Sequence, residues 1–415
     1  MKIIITVGII LSLLIVTVPA IAKVTLSGII FTDLYYLDRS KNDYFNPTRN
    51  TPHAAPYTNT AIQLPDITRF TFRWVNEDNV GMRIQFGLGQ KSGTIENSED
   101  NNVKLLHAYG WWDMTPKIQL LAGKTTTPFS PLNPSQLLGA TSGSLNCIGH
   151  GYGDFYSGRF AQLRGTYRFN KDVRIAVALV DPNGVLSGGS GDLHPATSGT
   201  DNTTIPRIDV SVPIYLGPLR IYPGFCYQHR SYDNSTYTNI SGKTYSIDNN
   251  ITSYIGSIGS KLSVGAFVLS AEGNWGKNWA NMRGNAGNSP SVSWDIDPRP
   301  DKKSPISGAV VDQNYAIHDA ETYSFWFDVS FKFGPVTPHL IYGQQQSTNV
   351  MMGTNIKVQS KTQMYGVSIP IILTKGFSIR PEFMWYNDGA GETEGQSNQD
   401  FGHYGIYGVQ FQITF

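Results

Sequence analysis

The chain ends in the stretch His403-Tyr-Gly-Ile-Tyr-Gly-Val-Gln-Phe-Gln-Ile-Thr-Phe415, in which two kinds of side chain alternate. One parity carries Tyr404, Ile406, Gly408, Gln410 and Gln412, and the other carries Tyr407, Val409, Phe411, Ile413 and Phe415. Successive side chains of a β-strand point to opposite faces. The stretch therefore predicts a strand with one small or polar face and one apolar face that ends on an aromatic ring. Such a strand suits a barrel in a membrane, where aromatic rings lie at the bilayer interface.

The other end of the chain has the pattern of a secretory signal. Met1-Lys2 is a short basic start, residues 3–18 are almost entirely apolar, and Pro-Ala-Ile-Ala at 19–22 supplies a small-x-small cleavage pattern. A transmembrane helix is the alternative, because the run is nearly long enough to span a bilayer. Strand-like sequence follows at once, which favours cleavage. We therefore expect residues 1–22 to be a signal peptide and residues 23–415 to be the mature domain.

The composition narrows the function classes. The 415 residues include 32 Lys and Arg against 31 Asp and Glu, and this balance argues against nucleic-acid binding. Aromatic residues make up 12% of the chain and 42 residues are Gly, which fits a β-protein with aromatic girdles and many turns. Beyond the signal, no run of about 18 consecutive apolar residues occurs, so the sequence predicts no helical membrane span.

Strand-like alternation recurs along the whole mature chain. It is clearest at 321–333, where Phe325, Phe327 and Phe331 fall on one parity. The predicted strands are 24–36, 66–76, 79–90, 103–115, 117–125, 159–169, 172–181, 206–215, 218–230, 251–262, 264–275, 321–333, 335–346, 361–372, 376–386 and 403–415.

The connections between these strands alternate in length. The short set is Glu77-Asp78, Thr115-Pro116, Asn170-Lys171, Gly217-Pro218, Ser263, Gly334 and Thr374-Lys375, and the long polar set is 37–65, 91–102, 126–158, 182–205, 231–250, 276–320, 347–360 and 387–402. The sequence thus predicts an all-β fold, a transmembrane antiparallel β-barrel of about 16 strands with short periplasmic turns and long extracellular loops. A soluble β-helix or multi-sheet secreted protein is the alternative. It would leave many aromatic side chains in water and would not need alternating loop lengths.

With these features the chain resembles the sixteen-stranded porins of Gram-negative outer membranes. The stretches most similar to that family are 121–129, 159–182 and the C-terminal strand, and the middle one is similar to the DcaP-like group of trimeric porins associated with uptake of small acids. The resemblance implies a homotrimer in the outer membrane, in contact with lipid and lipopolysaccharide, through which small hydrophilic solutes diffuse passively. The Pro-Glu-Phe-Gly-Gly signature of some general porins is absent from 126–158, so details of their constriction do not carry over.

In such porins the third long loop folds into the lumen and narrows it, and here the third long loop is 126–158. It contains Pro128, Pro131 and Pro134, and later Gly149, Gly151 and Gly153 beside His150, Tyr152 and Asp154. Prolines stiffen a segment, and glycines let a backbone pack closely against a wall. We expect this loop to form the constriction, with an ordinary surface loop as the alternative.

Strand parity predicts which charged side chains point inward when the apolar faces point outward. The inward set contains Arg69, Arg73, Arg83, Arg164, Arg168, Arg174, Arg220, Arg230 and Arg380, together with the acids Asp33, Asp328 and Glu382. Arginines in a narrow pore favour anions and offer forked donors to carboxylate or phosphate. The alternative explanation is that charges avoid the lipid face of any barrel. We expect these arginines, except Arg230, and Asp154 of the loop to line the pore and its constriction, and we expect a preference for anions such as small carboxylates.

Other motifs carry weaker signals. Gly123-Lys124-Thr125 matches the last three residues of a phosphate-binding loop motif. Ile118, however, occupies the position where the motif requires its first Gly, and no helix pattern follows. Acids at 388–394 could bind calcium, although a solvated acidic loop is favoured. Cys147 and Cys226 are too few for a disulfide scaffold, and whether they bridge loop and wall is open. We expect no cofactor and no metal site.

The leading hypothesis is thus a passive channel that is not an enzyme. One alternative is an outer-membrane hydrolase, which needs a nucleophile, a base and an orienting group in contact. The eight histidines lie in no recognised motif. A second alternative is a surface-binding barrel that uses 276–320 with Trp275, Trp279 and Trp294.

Overall fold

The protein is described here by a computed structural model of the chain. It describes residues 23–39, 57–65, 67–90, 101–138, 151–155, 158–181, 198–201, 205–238, 244–246, 249–282, 308–311, 317–350, 355–393, 399–400 and 403–415. The predicted signal peptide, residues 1–22, lies outside the described residues, and so does Cys147. None of the helices in these ranges is long and apolar enough to cross a membrane.

The described residues form 16 barrel strands, some of them interrupted. The first eight are β1 (Lys23–Arg39), β2 (Tyr57–Gln63 and Arg69–Val75), β3 (Val80–Gln90), β4 (Asn101–Asp113), β5 (Ile118–Thr126), β6 (Arg159–Arg168), β7 (Arg174–Val180) and β8 (Arg207–Ser211 and Ile214–Leu216). The second eight are β9 (Leu219–Thr238), β10 (Asn249–Val264), β11 (Phe267–Lys277), β12 (Glu321–Phe331), β13 (His339–Val350), β14 (Lys357–Ser368 and Ile371–Thr374), β15 (Phe377–Thr393) and β16 (His403–Thr414).

These strands form one closed antiparallel barrel. Each strand pairs with the next along the chain, and β16 pairs with β1 in a register that sets Asp33 opposite Gln410. Closure leaves no free sheet edge, which is the condition for a sheet inside a bilayer. The predicted all-β fold with a sixteen-stranded barrel is therefore confirmed.

Side-chain parity separates two faces of the sheet, most clearly on β12 and β16. On β12, Phe325, Phe327 and Phe331 are exposed, whereas Ser324 and Asp328 on the other parity are buried. On β16, Gln410 is fully buried and Phe411 is exposed. The exposed apolar face is the outer surface, and it forms the apolar band that an outer-membrane barrel presents to lipid. Fold and outer face together make the protein an integral outer-membrane β-barrel.

Several boundaries differ from the sequence prediction. The turn predicted at Ser263 lies at Gly265, which has φ 58°, because a left-handed residue is needed there and glycine adopts that conformation without strain. The predicted loop 37–65 contains Tyr57–Gln63, which pairs with the end of β1. That segment has no clear alternation of apolar and polar residues in the sequence. Its strand conformation is stabilised by pairing with β1.

The seam between β1 and β16 yields a prediction. Phe415 exchanges two backbone hydrogen bonds with Gly28, of 3.1 and 3.2 Å, and its ring lies 5.6 Å from that of Phe70. Phe415→Ala keeps the hydrogen bonds but loses a ring contact of about 0.2–1 kcal/mol. We expect a lower yield of barrel that needs heating to unfold in detergent gels, and Phe415→Tyr should restore it. Equal yields for both variants and the parent would contradict a role for the terminal ring.

Candidate functional site: the loop inside the barrel

The long loop between β5 and β6 is named here the inner loop, residues 127–158. Its outgoing part, 127–138, is fixed by carboxylates of the wall. Ser130 Oγ lies within hydrogen-bond distance of Glu272 at 2.6 Å, and the Ser135 N–H donates to Asp328 at 2.9 Å. Glu382 accepts the N–H groups of Leu137 at 3.0 Å and Leu138 at 2.7 Å, and also the Ser368 hydroxyl at 2.7 Å. Charge-assisted bonds of this kind are among the stronger hydrogen bonds in proteins.

The returning part, 151–155, is fixed through its own carbonyl groups. The Gly151 carbonyl accepts from Thr362 at 2.6 Å, and the Gly153 carbonyl accepts from Ser324 at 2.8 Å. Gly153 has φ 127° and lies so close to the backbone of β12 and β13 that a Cβ would collide there. The glycines of this segment therefore let its backbone lie directly on the wall.

The positions of these contacts show on which side of the wall the inner loop lies. Its described parts contact every strand from β9 to β16, always on the parity opposite to the exposed apolar side chains. A segment can reach the same face of eight neighbouring strands of a closed barrel only from the interior. The described parts of the inner loop thus lie within the barrel.

Two apolar clusters cover the loop where it meets the wall. The first packs Leu138 and Tyr152 against side chains of β1 and β12 to β16. Tyr152 lies edge-on to Tyr386 at 5.0 Å, and its hydroxyl is 3.1 Å from that of Tyr404. The second cluster contains Phe129, Phe155, Cys226, Ile255, Trp279 and Met282. Hydrogen bonds and apolar packing therefore hold the loop together.

Asp154, predicted to line the constriction, is buried at 2% exposure in the returning part of the loop. Burial, with a smaller contribution from the charge of Glu272, raises the pKa of the Asp154 carboxyl well above its ordinary value. The predicted inward acids lie beside the same loop, because Asp328 and Glu382 bind it directly and Asp33 bonds Gln410 at 2.8 Å.

Three of the predicted arginines lie on β2 and β3, away from the loop anchors on β11, β12 and β15. Arg73 is the direct cross-strand partner of Arg83, and Arg69 lies on the same face four residues before Arg73. The three line a cavity of about 500 Å³ together with Thr71, Gln85 and Tyr109. Like charges directly opposite each other destabilise a sheet. Arg73 stacks over Trp111 at 5.2 Å, which gives one guanidinium an aromatic partner.

The other predicted arginines lie on several strands. Arg164 lies on β6 opposite Leu121 of β5, and Arg168 pairs with Asp113 at 3.2 Å. Arg174 donates to the Tyr215 hydroxyl at 2.7 Å, while Arg220 lies 5.8 Å from the same ring. Arg380 donates to the Ser135 carbonyl of the inner loop and lies 3.8 Å from Glu382, and Arg230 is buried at 5% exposure. The structure thus groups Arg69, Arg73 and Arg83, whereas Arg380 belongs to the loop anchor.

Sequence reasoning missed Arg207, which forms a fully buried ion pair with Asp209 at 2.8 Å and contacts Cys226 Sγ at 3.1 Å. Both charged residues lie on the inward parity of β8, so the alternation rule that found the other arginines could have found them. The possible bridge between Cys226 and Cys147 stays untested, since Cys147 falls outside the described ranges. Within those ranges no group of three or more His, Cys, Asp or Glu side chains is placed to hold a metal ion.

A closed sixteen-stranded barrel with a long loop folded onto its inner wall is the architecture of the outer-membrane porins. No family model and no curated protein sequence matches the chain. Among solved structures it is similar to the outer membrane channel DcaP of Acinetobacter baumannii, with 16% identity, a TM-score of 0.64 and coverage of 96% of this chain and 99% of that one. It is also similar to an anion-selective porin from Comamonas acidovorans, with 12% identity, a TM-score of 0.54 and coverage of 95% and 100%. The OmpF porin of Salmonella typhi has 12% identity, a TM-score of 0.53 and coverage of 94% and 98%.

These similarities establish the fold. The predicted resemblance to sixteen-stranded porins, including the DcaP-like group, is confirmed at that level.

The anchor at Glu382 yields a prediction for the loop. Glu382→Ala leaves the N–H groups of Leu137 and Leu138 without their carboxylate acceptor, at a cost of about 1–3 kcal/mol each. We expect faster hydrogen exchange at the Leu137 and Leu138 amides in the folded barrel. Glu321→Ala removes an exposed carboxylate from the outer face of β12 and is the matched control. Exchange rates equal to the control would mean that Glu382 does not hold the loop.

Proposed function

We propose that this protein is an outer-membrane porin through which small hydrophilic solutes diffuse passively, with a preference for anions such as small carboxylates. The inner loop narrows the lumen, and the arginines of β2 and β3 line the path beside it. No reaction and no cofactor takes part in this function.

The anion preference is inferred from a difference between the inward acids and the inward arginines. The acids Glu272, Asp328 and Glu382 accept hydrogen bonds from the inner loop, so they are covered by it. Arg69, Arg73 and Arg83 instead face a cavity of about 500 Å³. A lumen whose negative groups are covered and whose positive groups are open has a positive local potential, which favours anions.

The spacing of the three arginines supports the solute class. Two guanidinium groups on directly paired residues, with a third on the same face, offer several forked donors to one carboxylate or phosphate group. A bound anion would also relieve the repulsion between Arg73 and Arg83. The similarity in fold to an anion-selective porin agrees with this proposal.

Two further parts of the proposal concern the surroundings of the barrel. The resemblance of 159–182 to trimeric porins supports a homotrimer. The exposed apolar side chains of the outer face, including Leu163 at 62% and Leu340 at 60% exposure, support contact with outer-membrane lipid and lipopolysaccharide.

The alternative functions have less support. Of the tryptophans considered for surface binding, Trp294 lies outside the described residues. Trp275 is exposed on the outer face, whereas Trp279 is buried at 1% exposure beside the inner loop. For a hydrolase, His339 lies 2.7 Å from Asp328, but Asp328 also accepts the Ser135 N–H. Among the described contacts of His339, none joins it to a serine or cysteine nucleophile.

Neutralising the three arginines tests the anion preference. The variant Arg69→Gln, Arg73→Gln, Arg83→Gln should shift the reversal potential in a salt gradient toward cations. The effect should be large at 0.01 M salt, where the Debye length is about 30 Å, and should fade at 1 M, where it is about 3 Å. Planar-bilayer recordings provide the measurement.

A variant with the same change in net charge is the control. Lys171→Gln, Lys332→Gln, Lys375→Gln removes three positive charges from exposed positions at the short turns. We expect it to behave like the parent at both salt concentrations. The anion preference loses its basis if the arginine variant and this control give the same reversal potential at low salt.

Shortening the inner loop tests the constriction. Removal of 132–152 should raise the single-channel conductance, because ion flow depends on the narrowest cross-section. The folded state of the variant is checked by its need for heating before it unfolds in detergent gels. Unchanged conductance of a folded variant would mean that another part of the lumen limits the flow.

A further inference from the structure

The loop that follows β11 also folds onto the inner wall. Its first residues form a short 3-10 turn at Trp279–Asn281, and we name residues 278–282 the Trp279 turn. Trp279 and Met282 are buried at 1% and 3% exposure. Gln228 of the inward face of β9 donates to the Asn281 carbonyl at 3.3 Å. The turn therefore lies within the barrel, on the same wall that Phe129 of the inner loop contacts.

Asn278 fixes where this turn sits. It adopts a left-handed conformation, with φ 55°, and is fully buried. Its side chain accepts from the Ala320 N–H at 2.8 Å and donates to Asp319 at 2.7 Å and to the Thr252 carbonyl at 3.0 Å. The Asn278 side chain thus joins the start of the segment between β11 and β12 to the end of that segment and to β10.

A second set of bonds joins the turn to the later part of the same connection. The Asn281 side chain accepts from the Ala309 N–H at 2.7 Å, and Asn349 on the inward face of β13 donates to the Gly308 carbonyl at 2.7 Å. The Trp279 turn is consequently held from two directions, by β9 and by residues 308–309.

The turn contacts the inner loop through aromatic rings. Trp279 lies edge-on to Phe155 with centroids 5.3 Å apart, and Phe155 lies edge-on to Phe129 at 5.5 Å. Edge-to-face pairs at this separation are favourable beyond the area they bury. Phe129 lies on the outgoing side of the inner loop and Phe155 on the returning side. Ser130 Oγ lies 2.6 Å from the Phe155 carbonyl oxygen and 2.6 Å from Glu272, so one hydroxyl proton serves these two acceptors. Trp279 therefore packs on the point where the two sides of the loop meet.

We propose that Trp279 is a positioning residue for the constriction, so that a second loop holds the inner loop in place. The carboxylate anchors hold the loop at residues 130–138. At Phe155, close to the return into β6, the loop is packed against Trp279 instead. Loss of the indole would leave a cavity between the two loops and let the base of the inner loop move. This proposal uses the proposed channel function only for its electrical readout.

The native thiol of Cys226 provides a readout that needs no conduction. Cys226 is fully buried under this cluster, with Met282 Sδ 3.7 Å from its sulfur. In a Cys147→Ser background, Trp279→Ala should raise the rate at which a small charged methanethiosulfonate labels Cys226 by about tenfold or more, because local opening becomes easier. Trp279→Phe, which keeps a ring, should label close to the parental rate.

Trp275→Ala is the matched control, since Trp275 lies four residues earlier and is 51% exposed on the outer face. It should leave labelling unchanged. If Trp279→Ala does not form a barrel that needs heating to unfold, Phe155→Ala removes the opposite ring and carries the same expectations. Labelling of Trp279→Ala, or of Phe155→Ala in its place, at the rate of the Trp275→Ala control overturns the proposal.

Single-channel recordings give the second readout. Trp279→Ala should show more frequent current fluctuations than Trp275→Ala, with the anion preference retained because Arg69, Arg73 and Arg83 are untouched. Steady currents equal to the control would also overturn the positioning role. A parent protein that conducts no ions would refute the proposed function, and the labelling rates would still decide the role of Trp279.

Discussion

Backbone hydrogen bonding is the constraint on which the rest of this structure depends. Inside a bilayer no water is present to pair with an open N–H or C=O, so a sheet must close on itself. The pairing of β16 with β1 meets that requirement and forces every strand to divide its side chains between lipid and interior. The apolar side chains of one parity then face lipid, and the charged side chains of the other parity all face the interior of the barrel.

That interior is organised by polar contacts as well as by the two apolar clusters. The inner loop uses the wall acids as acceptors for its own N–H groups and hydroxyls, most clearly at Glu382. A buried carboxylate with several donors is satisfied, whereas one without them would be costly. The loop and the acids therefore stabilise each other. The charges that remain open to the cavity on the β2 and β3 side are mainly arginines, and the character of the lumen follows from this division.

Much of the fold could be predicted because the alternation of apolar and polar side chains along a β-strand is visible within a short stretch of sequence. Phe325, Phe327 and Phe331 reveal their shared face without knowledge of any partner strand. The loop anchor could not be predicted in the same way, since Leu137 and Glu382 are 245 residues apart. Parity shows that Glu382 and Arg73 both point inward, but it cannot show that one meets a loop and the other a cavity. The Trp279 turn was missed for a related reason, because a tryptophan in a long loop has no periodic neighbours.

The paired arginines of β2 and β3 also link occupancy to stability. Arg73 and Arg83 are like charges on directly paired residues, which is an unfavourable arrangement in a sheet. A ligand that binds only the folded barrel adds to its free energy of unfolding as the ligand concentration rises. An anion bound by these arginines would therefore stabilise the barrel, and the resistance of the barrel to heat would report which solutes the interior retains.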